Sequence, residues 1–475
     1  MRYRKKVGAI ARADRRLRVA QQCVLALAFL VYGWILGSSG PARADTPAIS
    51  DEQMAYYVIH ATPEVQAQHD QALKWLGENA DKRAVPALVH LLRWQPDDVP
   101  TLRNILKRIT GDDVGDKWFG WMVWLQEHPE YTPYDGFANF LSLSLVSLDP
   151  QFLRFVHEGV AHDIRLEEIV WGGVRVDAIP ALDNPKMISA VDAEYLNADD
   201  LVFGVEIGGD ARAYPLRIVN WHEMVNDVVG GTPVSLAYCT LCNAGILYET
   251  KIEGRDQPLT FGTSGLLYHS NKLMYDRATD SLWDQFMGRP VVGPLVGSGI
   301  TLKVLPLVTT TWRLWRAKHP TTKVLSLDTG FSRDYGPDVA YHDYFASKDL
   351  LFPAAVKDHR LNQKDLVFGV RAAGGAKAWP LSAFAGGKVI HDRVGQVDVV
   401  LIGNAEQETV RAYESKGHRF TLSAPDLLRA SDGYWRVTED ALVHSGGKTL
   451  PRLPGHLAYW FAWSGFFENA VLGAN

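Results

Sequence analysis

The chain has 475 residues, of which 47% are hydrophobic and 22% charged, so it is long for a single domain and has too much apolar material to remain wholly disordered. Its formal net charge is −5, and beyond residue 44 only 40 Lys and Arg face 53 Asp and Glu. That acidic balance excludes nonspecific nucleic-acid binding as a partner class.

Residues 1–18 are strongly basic, and from Cys23 to Gly37 the chain reads CVLALAFLVYGWILG without a charge. The apolar stretch has the length of a signal-peptide core and is short for a membrane span. Ala42 and Ala44 supply the A-x-A arrangement of a cleavage site. Residues 1–44 are therefore predicted to be a signal peptide, with the rest exported to a periplasm, or held at the inner membrane where the leader stays uncleaved. Cleavage removes Cys23 and leaves Cys239 and Cys242 as the cysteines of the mature chain.

Residues 45–135 read as a helical module. Ser50 and Gln53 have the spacing of a capping box. Val85, Leu88, Val89 and Leu92 share one helical face, and Pro100 and Gly111 bracket the helix that follows. Paired short helices resemble a HEAT-type array, a possible docking face for a protein partner. Trp118, Trp121 and Trp124 are spaced to pack a helix against a neighbour.

From about residue 150 to 475 the pattern changes to short β-type runs punctuated by Gly, Pro, Asn and Asp. The predicted class is α+β, with a β-rich main domain after a small all-α module. An internal duplication organises that domain, with copies near residues 196–250 and 361–415. LNADDLVFGVEIGGDARAYPL (196–216) recurs as LNQKDLVFGVRAAGGAKAWPL (361–381), and Asp227 aligns with Asp392. At the same offset Cys239 meets Asn404, Cys242 meets Gln407 and His222 meets Gly387. The first copy is therefore the reactive one.

Three chemistries suit Cys239-x-x-Cys242. With His222 it makes a Cys2His ligand set with an open position, fit for zinc or copper, and Glu223 beside it serves as base or outer support. His269 is a second histidine candidate. Without metal, the pair suits thiol–disulfide exchange. In an oxidising compartment it could also be an inert disulfide, although closing so short a loop stabilises little. The hairpin-like sequence after Cys242, NAGILYET, lacks the helix on which a thioredoxin-type thiolate rests. Asp276 and Arg277 add a carboxylate and a guanidinium to the candidate catalytic set. HEGVAH (157–162) is not a metalloprotease motif, because its second histidine is one residue late.

DAIPALDNP (177–185), AYPLRIVNWHEMVND (213–227), YCTLCNAG (238–245), FGTSGLLYHSNKLMYDRATDSLWDQ (261–285) and VLSLDTGFSRDYG (324–336) resemble, in order and spacing, the bacterial DUF3179 family. Thr240 stands where that family usually has Pro in a C-P-L-C knuckle, and His269 where Asn is usual. The resemblance implies the domain and no established activity; it agrees with weight on His222, Cys239 and Cys242. The leading expectation is a metal site built by His222, Cys239 and Cys242, acting in catalysis or metal handling with a small molecule or metal ion as partner. The alternatives are a thiol–disulfide oxidoreductase and a noncatalytic ligand- or partner-binding protein.

Overall fold

Helices begin where the sequence signals them. The Ser50 hydroxyl accepts from the Gln53 backbone N–H at 3.1 Å, and the Gln53 side chain accepts from the Ser50 N–H at 3.2 Å. This reciprocal cap opens the helix Asp51–His60. The computed structural model describes residues 49–62, 66–372, 374–467 and 471–473, so the signal peptide expected over residues 1–44 lies outside the described residues. Further helices span Gln66–Asn79, Val85–Trp94, Val99–Thr110, Trp118–Glu127 and Phe137–Val146. The helical part thus runs past residue 135. Gly111 ends one helix in the left-handed region at φ 83°, where a residue without a side chain closes the last turn at little cost. Among the described residues, no helix is long and apolar enough to cross a membrane.

The remainder is β-rich, confirming an α+β protein, and residues 50–475 form one compact unit. The duplication is followed element for element. The hairpin Leu201–Ile207 and Asp210–Pro215 is repeated as Leu366–Ala372 and Gly375–Pro380. Met224–Val229, Thr232–Cys239 and Ala244–Glu249 are repeated as Lys388–Val394, Val397–Asn404 and Thr409–Glu414. Core positions correspond as well: Phe203, Val205, Tyr214, Leu236 and Leu247 match Phe368, Val370, Trp379, Leu401 and Ala412, all buried.

The repeat also extends beyond what the sequence shows. Val308–Thr311 pairs with the first hairpin and leads into the helix Trp312–Lys318; Gly455–Tyr459 pairs with the second and leads into Trp460–Phe466. A short strand then returns parallel to each hairpin, Lys323 opposite Arg212 and Val471 opposite Lys377. The shared glycine of DLVFGV has a steric cause. A Cβ on Gly204 would fall 2.3 Å from the Trp315 ring, and one on Gly369 would fall 2.0 Å from the Trp463 ring. Asp227 and Asp392 are scaffold too. Asp227 accepts from Arg212 and from the Tyr214 hydroxyl at 2.7 Å; Asp392 accepts from Lys377 at 2.6 Å and from the Trp379 indole at 2.9 Å.

The copies differ in what interrupts them. In the second, five further strands extend the three repeat strands into an eight-stranded curled sheet, whose far end returns so that the Phe420 N–H donates to His391 Nε2 at 2.8 Å. In the first, the interruption folds into a separate sheet of Phe261–Tyr268, Asn271–Asp276, Leu282–Asp284 and Arg289–Val292, joined by Ile169–Trp171. This inserted sheet packs against the strands that carry the cysteines.

Candidate functional site: a buried thiol pair at the seam of two sheets

The strands Thr232–Cys239 and Ala244–Glu249 pair until Cys239 faces Ala244, and the chain turns through Thr240–Cys242 between them. Asn243, at φ 48°, completes the turn, a left-handed position that Asn tolerates better than most residues. The hairpin reading of YCTLCNAG therefore holds. Both cysteines are free thiols, Cys239 is 1% exposed and Cys242 fully buried, and their sulfurs lie 3.0 Å apart.

The inserted sheet completes the socket. Its hairpin turns through His269 and Ser270, with φ of 50° and 59°, the signature of a two-residue turn that carries both central residues through the left-handed region. That turn presents Asn271, whose side-chain amide donates to Cys242 Sγ at 3.2 Å and to Gln285 Oε1 at 2.8 Å. Gln285 in turn donates to the carbonyls of Ala237 and Ala244, tying the inserted sheet to both strands of the cysteine hairpin. Lys272 reaches Glu223 Oε2 at 3.1 Å and the carbonyls of Glu223 and Tyr238 at 3.4 Å. Thr240 and Tyr341 donate hydroxyl hydrogen bonds to the other Glu223 oxygen, at 2.9 and 3.3 Å. The Tyr344 hydroxyl bonds the Leu241 carbonyl at 2.6 Å.

The two thiols are driven apart electrostatically. Burial alone would push Cys239 up, and Glu223 adds to that. The hydrogen-bond contact with Cys242, the backbone N–H of Lys272 and the Lys272 charge outweigh both, so the net displacement is downward. For Cys242 burial comes first, and the bond and charge of Cys239 reinforce it, pushing this thiol well above its ordinary range. Of the two, Cys239 is the more acidic thiol. A cavity of about 110 Å³ opens beside this arrangement, lined in part by Glu223, Leu241, Lys272, Tyr341, Leu351 and Phe352.

The other residues expected at the site are held elsewhere. His222 donates from Nδ1 to the Pro180 carbonyl at 2.7 Å and accepts at Nε2 from the Tyr335 hydroxyl at 2.6 Å. The Thr329 hydroxyl bonds the same Tyr335 oxygen, also at 2.6 Å. Both imidazole nitrogens are engaged, so the expected Cys2His set of His222, Cys239 and Cys242 is not brought together. Burial, ahead of the other influences, lowers the His222 pKa and keeps the ring neutral. His269 turns away to Glu168 and stacks on Tyr268. Among the described residues no group of three or more His, Cys, Asp and Glu converges on a metal-sized space. A tetrahedral zinc bound at about 2.3 Å to each sulfur would also separate the two sulfurs to about 3.8 Å, wider than the 3.0 Å seen here.

Asp276 accepts from the backbone N–H groups of Ala278 and Thr279, the Thr279 hydroxyl and the Trp283 indole, which makes it the anchor of a buried turn. Arg277 pairs with Asp183 at 2.7 Å. Neither joins the thiols. Only Glu223, Cys239 and Cys242 of the expected set come together. Lys272, Asn271, Gln285 and Tyr341 were missed; three of them lie in the motif 261–285, where the signal was a lysine and two amides at the ends of otherwise largely apolar strands.

In the second copy the same turn is closed by a different device. Asn404 Oδ1 accepts from the Gln407 backbone N–H at 3.0 Å, so a neutral side-chain bond replaces the sulfur contact. Residues 176–470 match the family described as protein of unknown function DUF3179. The chain belongs to the DUF3179 family. The match begins after the helical part, so within DUF3179 terms the thiol socket is family territory and the helices are an addition. No curated protein and no solved structure matches the chain.

Proposed function

We propose that this DUF3179 protein carries out thiol–disulfide exchange with Cys239 as the attacking thiol and Cys242 as the resolving one. The observation that supports this best is the unequal pair: two buried free thiols 3.0 Å apart, with Lys272 lowering Cys239 while burial and Cys239 itself raise Cys242 against the opposing Asn271 bond. In the forward step the Cys239 thiolate attacks one sulfur of a substrate disulfide. A Cys239–substrate bond forms, the substrate S–S bond breaks, and its other sulfur leaves as a thiolate that takes a proton. Cys242 then loses its proton and attacks Cys239. The Cys239–Cys242 disulfide forms and the second substrate thiol departs, so two electrons pass from the protein to the substrate. The reverse sequence oxidises a dithiol.

Glu223 is held by Lys272, Thr240 and Tyr341 and acts electrostatically on both sulfurs. Its role in this scheme is to receive the Cys242 proton as the second step begins. Export through residues 1–44, which this proposal retains, would put the exchange in a compartment where disulfides persist.

The test is trapping. Reduced Cys242→Ser protein incubated with hydroxyethyl disulfide should accumulate a mixed disulfide on Cys239, detected by intact mass and peptide mapping, whereas Cys239→Ser should not react. Equal reactivity of the two variants would remove the assigned roles. Stoichiometric metal in anaerobically purified wild-type protein, lost in Cys239→Ser, would return the site to metal handling.

A further inference from the structure

The turn through His269 and Ser270 sets two groups against one sulfur. Cys242 Sγ donates weakly to the Ser270 carbonyl at 3.5 Å and accepts from the Asn271 side-chain amide at 3.2 Å. Which end of that amide faces the sulfur follows from its neighbours. Gln285 donates from Nε2 to the carbonyls of Ala237 and Ala244 at 2.9 and 3.0 Å; a carbonyl can only accept, so both Gln285 N–H groups are used and its Oε1 is an acceptor. Asn271 therefore presents Nδ2 to Gln285 Oε1, at 2.8 Å. Its second N–H is left for Cys242.

That second N–H is poorly matched to a neutral partner. Asn271 is 1% exposed, and Gln285 and Cys242 are fully buried, so the amide has little access to water, and a thiol sulfur is a weak acceptor. A thiolate accepts better, since a hydrogen bond to a charged group is roughly twice as strong as a neutral one. Burial first, and then Cys239, push the Cys242 thiol up; the Asn271 bond works against them. A mechanical tie between the sheets needs no sulfur, because Gln285 already bonds both strands of the cysteine hairpin.

We infer that Asn271 is a catalytic residue that stabilises negative charge on Cys242 Sγ through its second Nδ2–H, and that Gln285 is the positioning residue that aims it. This rests on the exchange reaction proposed above. On the way to the internal disulfide, Cys242 gives its proton to Glu223, and the thiolate held by Asn271 attacks Cys239 of the mixed disulfide. The Cys239–Cys242 bond forms, the bond from Cys239 to the substrate sulfur breaks, and that sulfur leaves as a thiolate that takes a proton. In reverse, an incoming thiolate attacks Cys239, the Cys239–Cys242 bond breaks, and its electron pair goes to Cys242 Sγ beside the amide. A donor already in place at the atom that carries the charge lowers the barrier in both directions.

The experiment separates the amide from the reaction. In Cys239→Ser protein, Cys242 is labelled by iodoacetamide at alkaline pH and quantified by peptide mapping. Adding Asn271→Leu should cut the Cys242 thiolate fraction about tenfold, the difference between a charged and a neutral hydrogen bond. Because the more basic thiolate is the better nucleophile, labelling should slow by about three- to fourfold. Labelling of Cys239 in Cys242→Ser protein should not change with Asn271→Leu. A merely structural amide gives the opposite result, faster labelling of both sulfurs from a loosened socket; that outcome, or unchanged labelling of Cys242, overturns the assignment. Gln285→Met, which removes the acceptor that aims the amide, should slow Cys242 labelling in the same selective way, and its failure to do so removes the positioning role.

A second measurement needs no change at position 271. In Cys239→Ser protein isotopically labelled at asparagine nitrogen, one side-chain amide proton should move downfield as Cys242 ionises, and should stay in place when Cys242 is also Ser; if no amide moves, the assignment fails. Reduction of the oxidised chain by 2-mercaptoethanol should be several-fold slower in Asn271→Leu, and equal rates overturn the catalytic role. The expected labelling and amide shift, alongside no exchange of the wild-type chain with hydroxyethyl disulfide, reject the reaction and keep Asn271 as the donor to the Cys242 thiolate.

Discussion

Replacing Lys272 with Met isolates the electrostatics of the socket. The lysine is 4% exposed and its ammonium lies 3.1 Å from Glu223, itself 7% exposed. Removing one partner of a buried pair leaves the other uncompensated and costs roughly 3–5 kcal/mol. Thr240 and Tyr341 still donate to Glu223, so the cost should fall near the lower bound, about 3 kcal/mol, a large part of the ~5–15 kcal/mol that holds a typical domain together. The double variant Lys272→Met with Glu223→Gln should recover much of the loss, because the amide needs no counterion. The thiol responds with a definite sign. Lys272 lowers and Glu223 raises the Cys239 pKa, so Lys272→Met should move the thiolate titration to higher pH and Glu223→Gln to lower pH. A group depressed on folding contributes stability above its unfolded pKa, and that contribution fades as pH falls through the folded value. It should therefore shrink in Lys272→Met. Urea unfolding under reducing, anaerobic conditions gives the stabilities, and ultraviolet absorbance of the thiolate gives the titration. Shifts of the same sign in both single variants, or a Lys272→Met protein as stable as wild type, would refute the reasoning.

Other outcomes follow from the same geometry. Tyr341→Ala removes the hydroxyl that closes over Glu223 and should speed labelling of Cys239 by iodoacetamide several-fold with little change in its pH midpoint; unchanged labelling would mean that access lies elsewhere. Gly204→Ala and Gly369→Ala should each destabilise by about 1–3 kcal/mol or more through overpacking, read by urea unfolding, because the added carbon meets an indole in both copies. His90 is held neutral chiefly by burial, its pKa lowered to about 4. Stability should therefore fall as pH drops from about 6.5 towards 4, by up to about 3 kcal/mol from this residue. In His90→Gln the decline over that window should be shallower by that amount.

The duplication and the α+β class were legible because they rest on local signals: a repeated hexapeptide, alternating strands and glycine turns. The steric reason for the repeated glycine was not, since Trp315 and Trp463 come from segments that share little sequence. The thiol pair was legible as the reactive difference between copies. Its surroundings were not, because Asn271, Lys272 and Gln285 reach it from a separate sheet, a relation that no spacing along the chain encodes. His222 shows the converse error. It adjoins Glu223 in sequence, yet one residue enters the socket while the other bonds Pro180 and Tyr335, since the chain passes from helix to strand between them through Glu223 at φ 56°.

The inserted sheet of the first copy has an evolutionary consequence. Two equal halves share one framework, and the half with thiols is the one interrupted by a sheet that delivers an amide and an ammonium to the turn. Chemistry here arises from what was spliced between the framework strands as much as from the cysteines on them. Writing Cys at positions 404 and 407 would therefore give the second half its sulfurs and leave it inert. An ancestor with the bare framework could have acquired a reactive centre by accommodating one insertion, with the twin half free to remain a buttress.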